Sequence, residues 1–502
     1  MPLPSIILLL LLIFSTISCT HSKEARLSVF PKKLRYTFDG EKLHDNFADL
    51  GIEIFFFQQT LDHFTYTPGS YKKFRQRYAV NSKYWEGGKS NAPILAYLGA
   101  ESSLDYDLRG LGFLKDNAPH FKALMVYIEH RFYGETMPFG SPDEALKNAK
   151  TLGYLNAAQA LADYAGILLH IKEAYSAKHS PVIVIGGSYG GMLAAWFKLK
   201  YPHIALGALA SSAPLLYFED TLPKHGYFYI VTKVFKETSQ KCHNKIRKSW
   251  DEIDRIAAKP NGLSILSKKF KLCNPLNDTI ELKSYLSNIY AVTAQYNNNP
   301  DSVASVCEAI NTSPPNTKSD LLDQIFAGVV ASMGNISCYG MLSDQITNNA
   351  RAWTWQSCSE MVMPIGYEKE DTMFQPKPFN MSSFTKNCES HYGVSPRPHW
   401  VTTYFGSQDV KLIFRRFGNN IIFSNGLLDP YSVGGVLEDI SDTVVAITTR
   451  DAGSHCQDIV LKSKEDPEWL VEQREKEVKI IDSWISTYQK DLNISSSLVV
   501  IC

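Results

Sequence analysis

The sequence lacks an excess of charge of either sign, because 51 lysine and arginine residues balance 51 aspartate and glutamate residues among its 502 residues. This balance disfavours nucleic acid or an anionic membrane as the main partner. Beyond its first residues the chain has no apolar run as long as a transmembrane helix, no internal repeat and no C-x-x-C pair of the kind that binds zinc. A nucleic-acid-binding protein, a protein that stays inserted in a membrane and a zinc protein are therefore disfavoured, and no cofactor is indicated.

The N-terminus and the cysteines indicate export. The run from Ile6 to Phe14 is continuously apolar and is followed by serine, threonine and cysteine, so residues 1–19 are predicted to be a secretory signal peptide. A retained anchor is the alternative, because the segment before the run has no basic residue. Six of the eight later cysteines lie between Cys242 and Cys388, which is typical of a disulfide framework. The expected location is the secretory pathway, ending in a lysosome or vacuole or outside the cell.

Five sequons for N-glycosylation accompany the cysteines. They lie at Asn277, Asn311, Asn335, Asn380 and Asn493. These asparagines are expected to carry glycans if the chain enters the secretory pathway.

Short apolar runs alternate with helical patterns in two separate parts of the chain. Strands are predicted at residues 94–98, 124–129, 182–185, 206–210, 421–424 and 444–448, and helices at 156–171 and 192–199. This alternation favours an α/β domain with a mostly parallel sheet. The residues between the two parts are polar, helical in pattern and rich in cysteine. We therefore predict an α/β domain in two parts, 25–220 and 401–502, interrupted by a mainly helical, disulfide-linked cap domain at 221–400.

The stretch Gly186-Gly187-Ser188-Tyr189-Gly190 lies between a predicted buried strand and an alanine-rich helical segment. It matches the G-x-S-x-G nucleophile elbow, a sharp strand-to-helix turn that lifts a serine hydroxyl above the sheet. Glycines suit this turn because Cβ atoms would clash where two backbone segments approach closely. Glycine-rich turns also bind phosphate or merely end strands, but the flanking strand and helix supply the context that the hydrolase motif requires.

A serine nucleophile needs a base, and the base needs an acid that holds it in the correct tautomer. In hydrolases with this elbow the acid and the histidine follow the serine in that order, each after a later strand. His455 follows the last predicted strand and Asp429 follows the one before it, so these two residues are predicted to form the catalytic triad with Ser188. The alternatives for the acid are Asp439, Asp442, Asp451 and Asp458.

The oxyanion of the tetrahedral intermediate needs two backbone N–H donors. One is predicted to be that of Tyr189, directly after the serine. The other is expected from Gly99 and Ala100, in the loop after the strand at 94–98. A plain turn at the end of that strand is the alternative interpretation of the loop.

Seven segments, in the same order along the chain, resemble the serine peptidase family that contains lysosomal Pro-X carboxypeptidase and dipeptidyl peptidase II. They are FFFQQTLDHF, EHRFYGETMPFG, QALADY, GGSYGGMLAAW, WQSCSEMVMP, FSNGLLDPYSVGG and GSHCQD. The resemblance extends from about residue 50 to about residue 490. It implies an α/β-hydrolase fold with a helical insertion, hydrolysis next to proline, and the same triad of serine, aspartate and histidine.

The resemblance also implies disulfide pairs and pocket positions. The expected disulfides are Cys242–Cys307, Cys273–Cys338 and Cys358–Cys388, and the expected pocket residues are Glu101, Met192, Met363 and Tyr431. Three positions depart from the family pattern. The loop at 98–102 lacks an asparagine and a second glycine, Tyr431 stands in place of a tryptophan, and Cys456 stands where a second histidine often follows the catalytic one.

The expected substrates are peptides with proline near one terminus. The sequence leaves open whether a C-terminal residue or an N-terminal dipeptide is released, and whether the protein forms a homodimer. A lipase or esterase would use the same triad, but the polar, cysteine-rich insertion does not offer the continuous apolar surface expected of a lipase lid. A binding protein built on an inactive hydrolase scaffold is the further alternative, and the presence of all three triad residues disfavours it.

Overall fold

The computed structural model describes residues 47–499, except for 219–221, 298–301, 313–319, 342–346, 368–369 and 371. The predicted signal peptide at 1–19 and the last cysteine, Cys502, lie outside the described residues. Within the described ranges, none of the helices combines the length and the apolar character needed to cross a membrane.

The described residues form one sheet of eight strands. The strands are β1 (Glu53–Thr60), β2 (Lys73–Asn81), β3 (Ile94–Leu98), β4 (Leu124–Ile128), β5 (Val182–Gly187), β6 (Ala205–Ser211), β7 (Ile421–Gly426) and β8 (Val444–Thr449). Their order in the sheet is β1-β2-β4-β3-β5-β6-β7-β8. β2 is antiparallel to both β1 and β4, whereas all pairs from β4 to β8 are parallel. The predicted mostly parallel sheet is therefore confirmed.

Six helices precede β6 in the chain. They are α1 (Leu104–Gly110), α2 (Phe113–Phe121), α3 (Pro142–Ala145), α4 (Ala149–Leu152), α5 (Ala157–Ala174) and α6 (Tyr189–Lys200). Ten more lie between β6 and β7 in the described ranges: α7 (Gly226–Thr238), α8 (Gln240–Ala257), α9 (Gly262–Lys269), α10 (Thr279–Gln295), α11 (Val303–Thr312), α12 (Leu321–Met333), α13 (Asn348–Ser359), α14 (Met381–Tyr392), α15 (Trp400–Phe405) and α16 (Val410–Phe417). The last helix, α17 (Glu468–Val499), follows β8.

The central strands are apolar on both faces because helices cover both. Along β3, Ile94 and Ala96 belong to the hydrophobic cluster that includes α5 and α6, whereas Leu95 and Tyr97 belong to the cluster on the opposite face, which includes α1, α2 and α17. This two-residue alternation is the period of a strand. Along α17, Ile481 and Trp484 are buried against the sheet.

The chain between β6 and β7 is helical and carries the disulfides. The structure joins Cys242 to Cys307, Cys273 to Cys338 and Cys358 to Cys388, which are the pairs that the family resemblance implies. Cys456, after β8, is a buried free thiol. The domain boundaries placed near residues 220 and 400 stay predictions.

Candidate active site

The nucleophile candidate, Ser188, lies at the turn between β5 and α6 with φ 60° and ψ −122°. A positive φ is rare for a residue with a side chain and stores about 1–3 kcal/mol of strain. The neighbouring glycines make the turn possible. A Cβ atom on Gly186 would lie 2.0 Å from the carbonyl oxygen of Gly190, and one on Gly190 would lie 2.9 Å from that of Leu98. The local sequence therefore has the geometry of a nucleophile elbow.

Asp429 and His455 come from the loops after β7 and β8 and meet in the interior. His455 Nδ1 lies 2.7 Å from Oδ2 of Asp429, and both residues are about 1% exposed. The other carboxylate oxygen, Oδ1, accepts the Tyr431 N–H at 2.9 Å. Because the carboxylate accepts the Nδ1 proton, Nε2 of the imidazole is left as the acceptor, which is the tautomer that a general base needs.

Two of the alternative acids have other partners. Asp439 Oδ1 accepts the Ala446 N–H at 2.8 Å, and Asp458 Oδ1 accepts the hydroxyl of Ser211 at 2.5 Å. Asp429 is the predicted acid that contacts the imidazole.

The serine and histidine loops meet at the end of β6. The carbonyl of Ser211 accepts the Ser188 N–H at 2.8 Å and lies 3.9 Å from the sulfur of Cys456, the residue after His455. Ser188 Oγ and His455 Nε2 are both buried, and neither atom has a hydrogen-bond partner among the described residues. A catalytic hydrogen bond between a serine and its base often tightens only in the complex with substrate.

The electrostatic setting favours the charged form of His455. Burial opposes that form, but the neighbouring Asp429 carboxylate outweighs burial, so the pKa of His455 is raised well above its ordinary value of 6.5. Burial raises the pKa of the Cys456 thiol, so this neighbour is neutral near pH 7. A carboxylate in this position can stabilise an imidazolium at His455.

Gly99 and Ala100, the two predicted sources of the second oxyanion donor, have different surroundings in the structure. The Gly99 N–H donates to the carbonyl of Ile128 at 2.9 Å, so it belongs to the sheet and cannot face an oxyanion. This corrects the expectation for Gly99. Ala100 lies against the elbow, since a Cβ atom on Gly190 would be 3.4 Å from the Ala100 side chain. Ala100 and Tyr189 therefore remain as the candidate backbone donors.

The pocket residues expected from the resemblance are all buried. The Tyr431 ring lies 5.5 Å from the His455 ring and packs edge-on against Tyr227, 4.8 Å away. Met192 follows the serine by one helical turn, and Met363 belongs to the same hydrophobic cluster. Glu101 is 4% exposed, in the loop after β3. Of these four residues, Tyr431 is the one that the structure places against the triad by a direct ring contact.

Two residues that the sequence did not single out also contact the histidine. The N–H of His455 donates to the carbonyl of Gln295 at 2.9 Å, and the Tyr296 ring lies edge-on to the imidazole at 5.8 Å. Both residues lie at the end of α10, between β6 and β7 in the chain. No local motif marks them, because their contact with His455 arises only when the insertion packs on the sheet.

A buried polar network supports Tyr189 from behind. Its hydroxyl lies 3.2 Å from His130 Nε2 and accepts a hydrogen bond from Gln356 Nε2 at 2.9 Å. The side-chain oxygen of Gln356, Oε1, accepts the hydroxyl proton of Tyr133 at 2.6 Å. Burial lowers the pKa of His130 to about 4, so this second imidazole near the elbow is neutral. The segments EHRFYG and WQSCSE thus meet behind the residue that follows the nucleophile.

The parallel sheet, the strained serine turn and the positions of the acid and base after β7 and β8 define a class, that of the serine-type hydrolases with the α/β-hydrolase fold. The chain belongs to the serine carboxypeptidase S28 family, whose sequence pattern matches residues 59–477.

Relatives in several animals are similar over most of their length. Lysosomal Pro-X carboxypeptidase of Homo sapiens is 38% identical over 453 residues, which cover 87% of this chain and 88% of that protein. Prolyl carboxy peptidase like protein 5 of Caenorhabditis elegans is 33% identical, over 82% of this chain and 86% of that protein. Thymus-specific serine protease of Mus musculus is 28% identical, over 86% and 87%.

Solved structures show a more distant likeness. Proline iminopeptidase of Mycobacterium smegmatis aligns with 83% of this chain and 97% of its own, at 11% identity and a TM-score of 0.32. A likeness at this level carries no argument about substrate.

Proposed function

We propose that this peptidase hydrolyses the bond after a proline near the C-terminus of a peptide, through an acyl-enzyme on Ser188. The observation that carries the proposal is the buried hydrogen bond of 2.7 Å between His455 and Asp429. The loop that carries His455 lies against the end of β6, where the Ser211 carbonyl accepts the Ser188 N–H. A serine hydroxyl is a weak nucleophile without such a base.

The catalytic cycle assigns one role to each group. Nε2 of His455 accepts the Ser188 hydroxyl proton as Oγ attacks the carbonyl carbon, and the N–H groups of Tyr189 and Ala100 bind the resulting oxyanion. The imidazolium then donates its proton to the leaving nitrogen, and the peptide bond breaks. Water, deprotonated by His455, attacks the acyl-enzyme and releases the product, which regenerates the serine.

The apolar surroundings of the triad suit a proline ring. Proline has no N–H and a compact ring, so its subsite needs apolar contact and few acceptors. Tyr431, Met192 and Met363 are buried members of one hydrophobic cluster, and Tyr431 contacts the catalytic imidazole. Several relatives are named Pro-X carboxypeptidases, which supports release of a single C-terminal residue over release of an N-terminal dipeptide.

The decisive experiment digests one peptide that has free ends and a proline next to each terminus. Mass spectrometry is expected to show loss of a single C-terminal residue. Loss of an N-terminal dipeptide would instead establish a dipeptidyl peptidase. Ser188→Ala is expected to remove both activity and labelling by a fluorophosphonate, and Ser483→Ala, an exposed serine of α17, is the matched control. Full activity in folded Ser188→Ala would contradict the proposed nucleophile.

We also propose a glycosylated protein of the secretory pathway, with a lysosome or vacuole as its destination, in keeping with the lysosomal relatives. Asn277, Asn335, Asn380 and Asn493 have exposed side chains. Asn311 is half-buried and its amide donates to the Ser239 hydroxyl at 3.0 Å. Peptide mapping is therefore expected to find lower glycan occupancy at Asn311 than at the other four.

A further inference from the structure

Two buried carboxyl groups lie beneath the loops that carry the triad. Asp458 follows His455 by three residues, and Glu477 projects from α17; they are 3% and 0% exposed. Asp458 Oδ1 accepts the Ser211 hydroxyl at 2.5 Å, and Glu477 Oε1 accepts the Ser424 hydroxyl at 2.7 Å. Through these serines the two acids contact the ends of both β6 and β7. Neither acid has a role in the mechanism proposed above.

The two carboxyl groups lie close together. Ser211 and Ser424, whose hydroxyls donate to them, are directly paired in the register of β6 and β7. Their remaining oxygens, Asp458 Oδ2 and Glu477 Oε2, are buried and have no donor among the described residues. An ionised carboxylate can only accept a hydrogen bond, so a contact between two of them requires a proton on one.

Arg474, the nearby cation, does not hydrogen-bond to the carboxyl oxygens of Asp458 or Glu477 in place of this proton. Arg474 is buried on α17, but its guanidinium donates to the backbone carbonyls of Asp458, Gln457 and Val460 and to the carboxylate of Asp466, at 2.6–3.0 Å. These bonds fasten the loop to α17 and leave the carboxylates of the pair without an arginine donor in the described residues. The other titratable neighbour, Cys456, carries a thiol whose pKa is raised by burial, so it stays neutral near pH 7 and adds no charge beside the pair.

Burial, followed by repulsion from Asp458, raises the pKa of Glu477 well above its usual range, and burial also raises the pKa of Asp458. A raised pKa favours the protonated form of each acid, which agrees with the lack of donors to Asp458 Oδ2 and Glu477 Oε2 among the described residues. Two like charges held together in a buried site cannot both ionise at ordinary pH.

We propose that Asp458 and Glu477 share one proton, and that this proton positions the loop carrying His455 against the end of β6. Loss of the proton places two anions side by side, which forces Asp458 away from Glu477 and displaces the loop. Both acids are positioning residues, because neither touches the reacting atoms. The catalytic consequence rests on the proposed function, whereas the shared proton does not.

The first test measures the thermal midpoint as a function of pH without substrate, so it is independent of the proposed activity. Because folding raises the pKa of the pair, its stabilisation is complete below the unfolded pKa of about 4 and is lost as pH rises through the folded pKa. The wild-type midpoint is expected to fall by about 1–2 °C per pH unit on this account. Glu477→Gln keeps a donor for Asp458 and is expected to flatten that slope. Glu475→Gln, at an exposed site on the same helix, is expected to retain it.

The second test follows the rate of fluorophosphonate labelling of Ser188 against pH, which does not depend on peptide specificity. Labelling by the wild type is expected to fall at high pH as the pair ionises, and Glu477→Gln is expected to lose this alkaline fall while keeping the acid limb set by His455. Asp458→Asn removes the ionisable group of the other member of the pair and is likewise expected to lose the alkaline fall. Unchanged pH profiles in both amide variants would overturn the proposal, as would failure of both variants to fold at every pH.

Discussion

The imidazole of His455 donates its Nδ1 proton to Asp429 across 2.7 Å, in a site that excludes solvent from both side chains. The two residues arrive from different strand ends, and the hydrogen bond between them fixes both the orientation and the tautomer of the base. The assignment of Asp429 as the acid and His455 as the base rests on this hydrogen bond, and substituting either residue tests it.

Asp429→Asn is expected to lower kcat by roughly 10³–10⁴-fold, because the amide can donate to Nδ1 and thereby favour the wrong tautomer. The measurement is steady-state hydrolysis of a proline-containing peptide, with circular dichroism to show that the variant is folded. Asp439→Asn is the matched control, since this carboxylate caps the Ala446 N–H and does not contact the histidine. Equal losses in the two variants would contradict the assignment of the acid.

The pH profile is expected to show opposite signs for activity and stability. The base must be neutral, so kcat/KM should fall as pH falls through the raised pKa of His455. The stability from the His455–Asp429 pair is fully present below the ordinary pKa of 6.5 and is lost as pH rises through the folded pKa. Removing the anion in Asp429→Asn should move the acid limb of the residual activity to lower pH. An acid limb that does not move would show that another group sets it.

Gly186→Ala is expected to prevent formation of the elbow, because the added Cβ would lie 2.0 Å from the backbone carbonyl of Gly190. The backbone atoms there cannot shift without moving both β5 and α6, so we expect destabilisation by more than about 3 kcal/mol and little folded protein. Gly69→Ala is the control, since its nearest neighbouring atom would be 3.9 Å away. A normal yield of folded Gly186→Ala would contradict this geometry.

Removing the Cys242–Cys307 disulfide by double alanine substitution is expected to cost about 4 kcal/mol, and removing Cys358–Cys388 about 3.5 kcal/mol. The larger cost follows from the longer loop, because the two bonds span 65 and 30 residues. Urea unfolding of the two variants measures the difference. A larger loss of stability on removing Cys358–Cys388 would show that the entropy of the closed loop in the unfolded chain does not determine the cost.

The loops that carry the three triad candidates could be predicted from sequence because topology determines where those loops lie. The carboxyl ends of parallel strands share one edge of a sheet, so loops that are far apart in the chain become neighbours once the strands are recognised. The runs that became β5, β7 and β8 were apolar and short enough to identify, and Ser188, Asp429 and His455 followed directly.

The strands β1 and β2 were not predicted, and the reason is chemical. β2 contains buried Gln76 and Arg77, whose partners include the carbonyl of Glu129 and the carboxylate of Asp105. A strand with buried polar side chains does not show the apolar alternation that marks a strand in sequence. The contacts of Gln295 and Tyr296 with His455 were hidden for another reason, since they depend on how the insertion packs on the sheet.

The pairing of β6 with β7 has a consequence for synthesis on the ribosome. While the long helical segment between them is still being translated, β6 has no partner on that side, and its backbone groups are open to any other extended chain. The nascent protein therefore carries the proposed nucleophile, Ser188, but not yet the proposed acid and base, together with an unpaired strand edge. That edge becomes covered only when β7 emerges and pairs with β6, and the same delay leaves the proposed triad incomplete until the C-terminal strands are made.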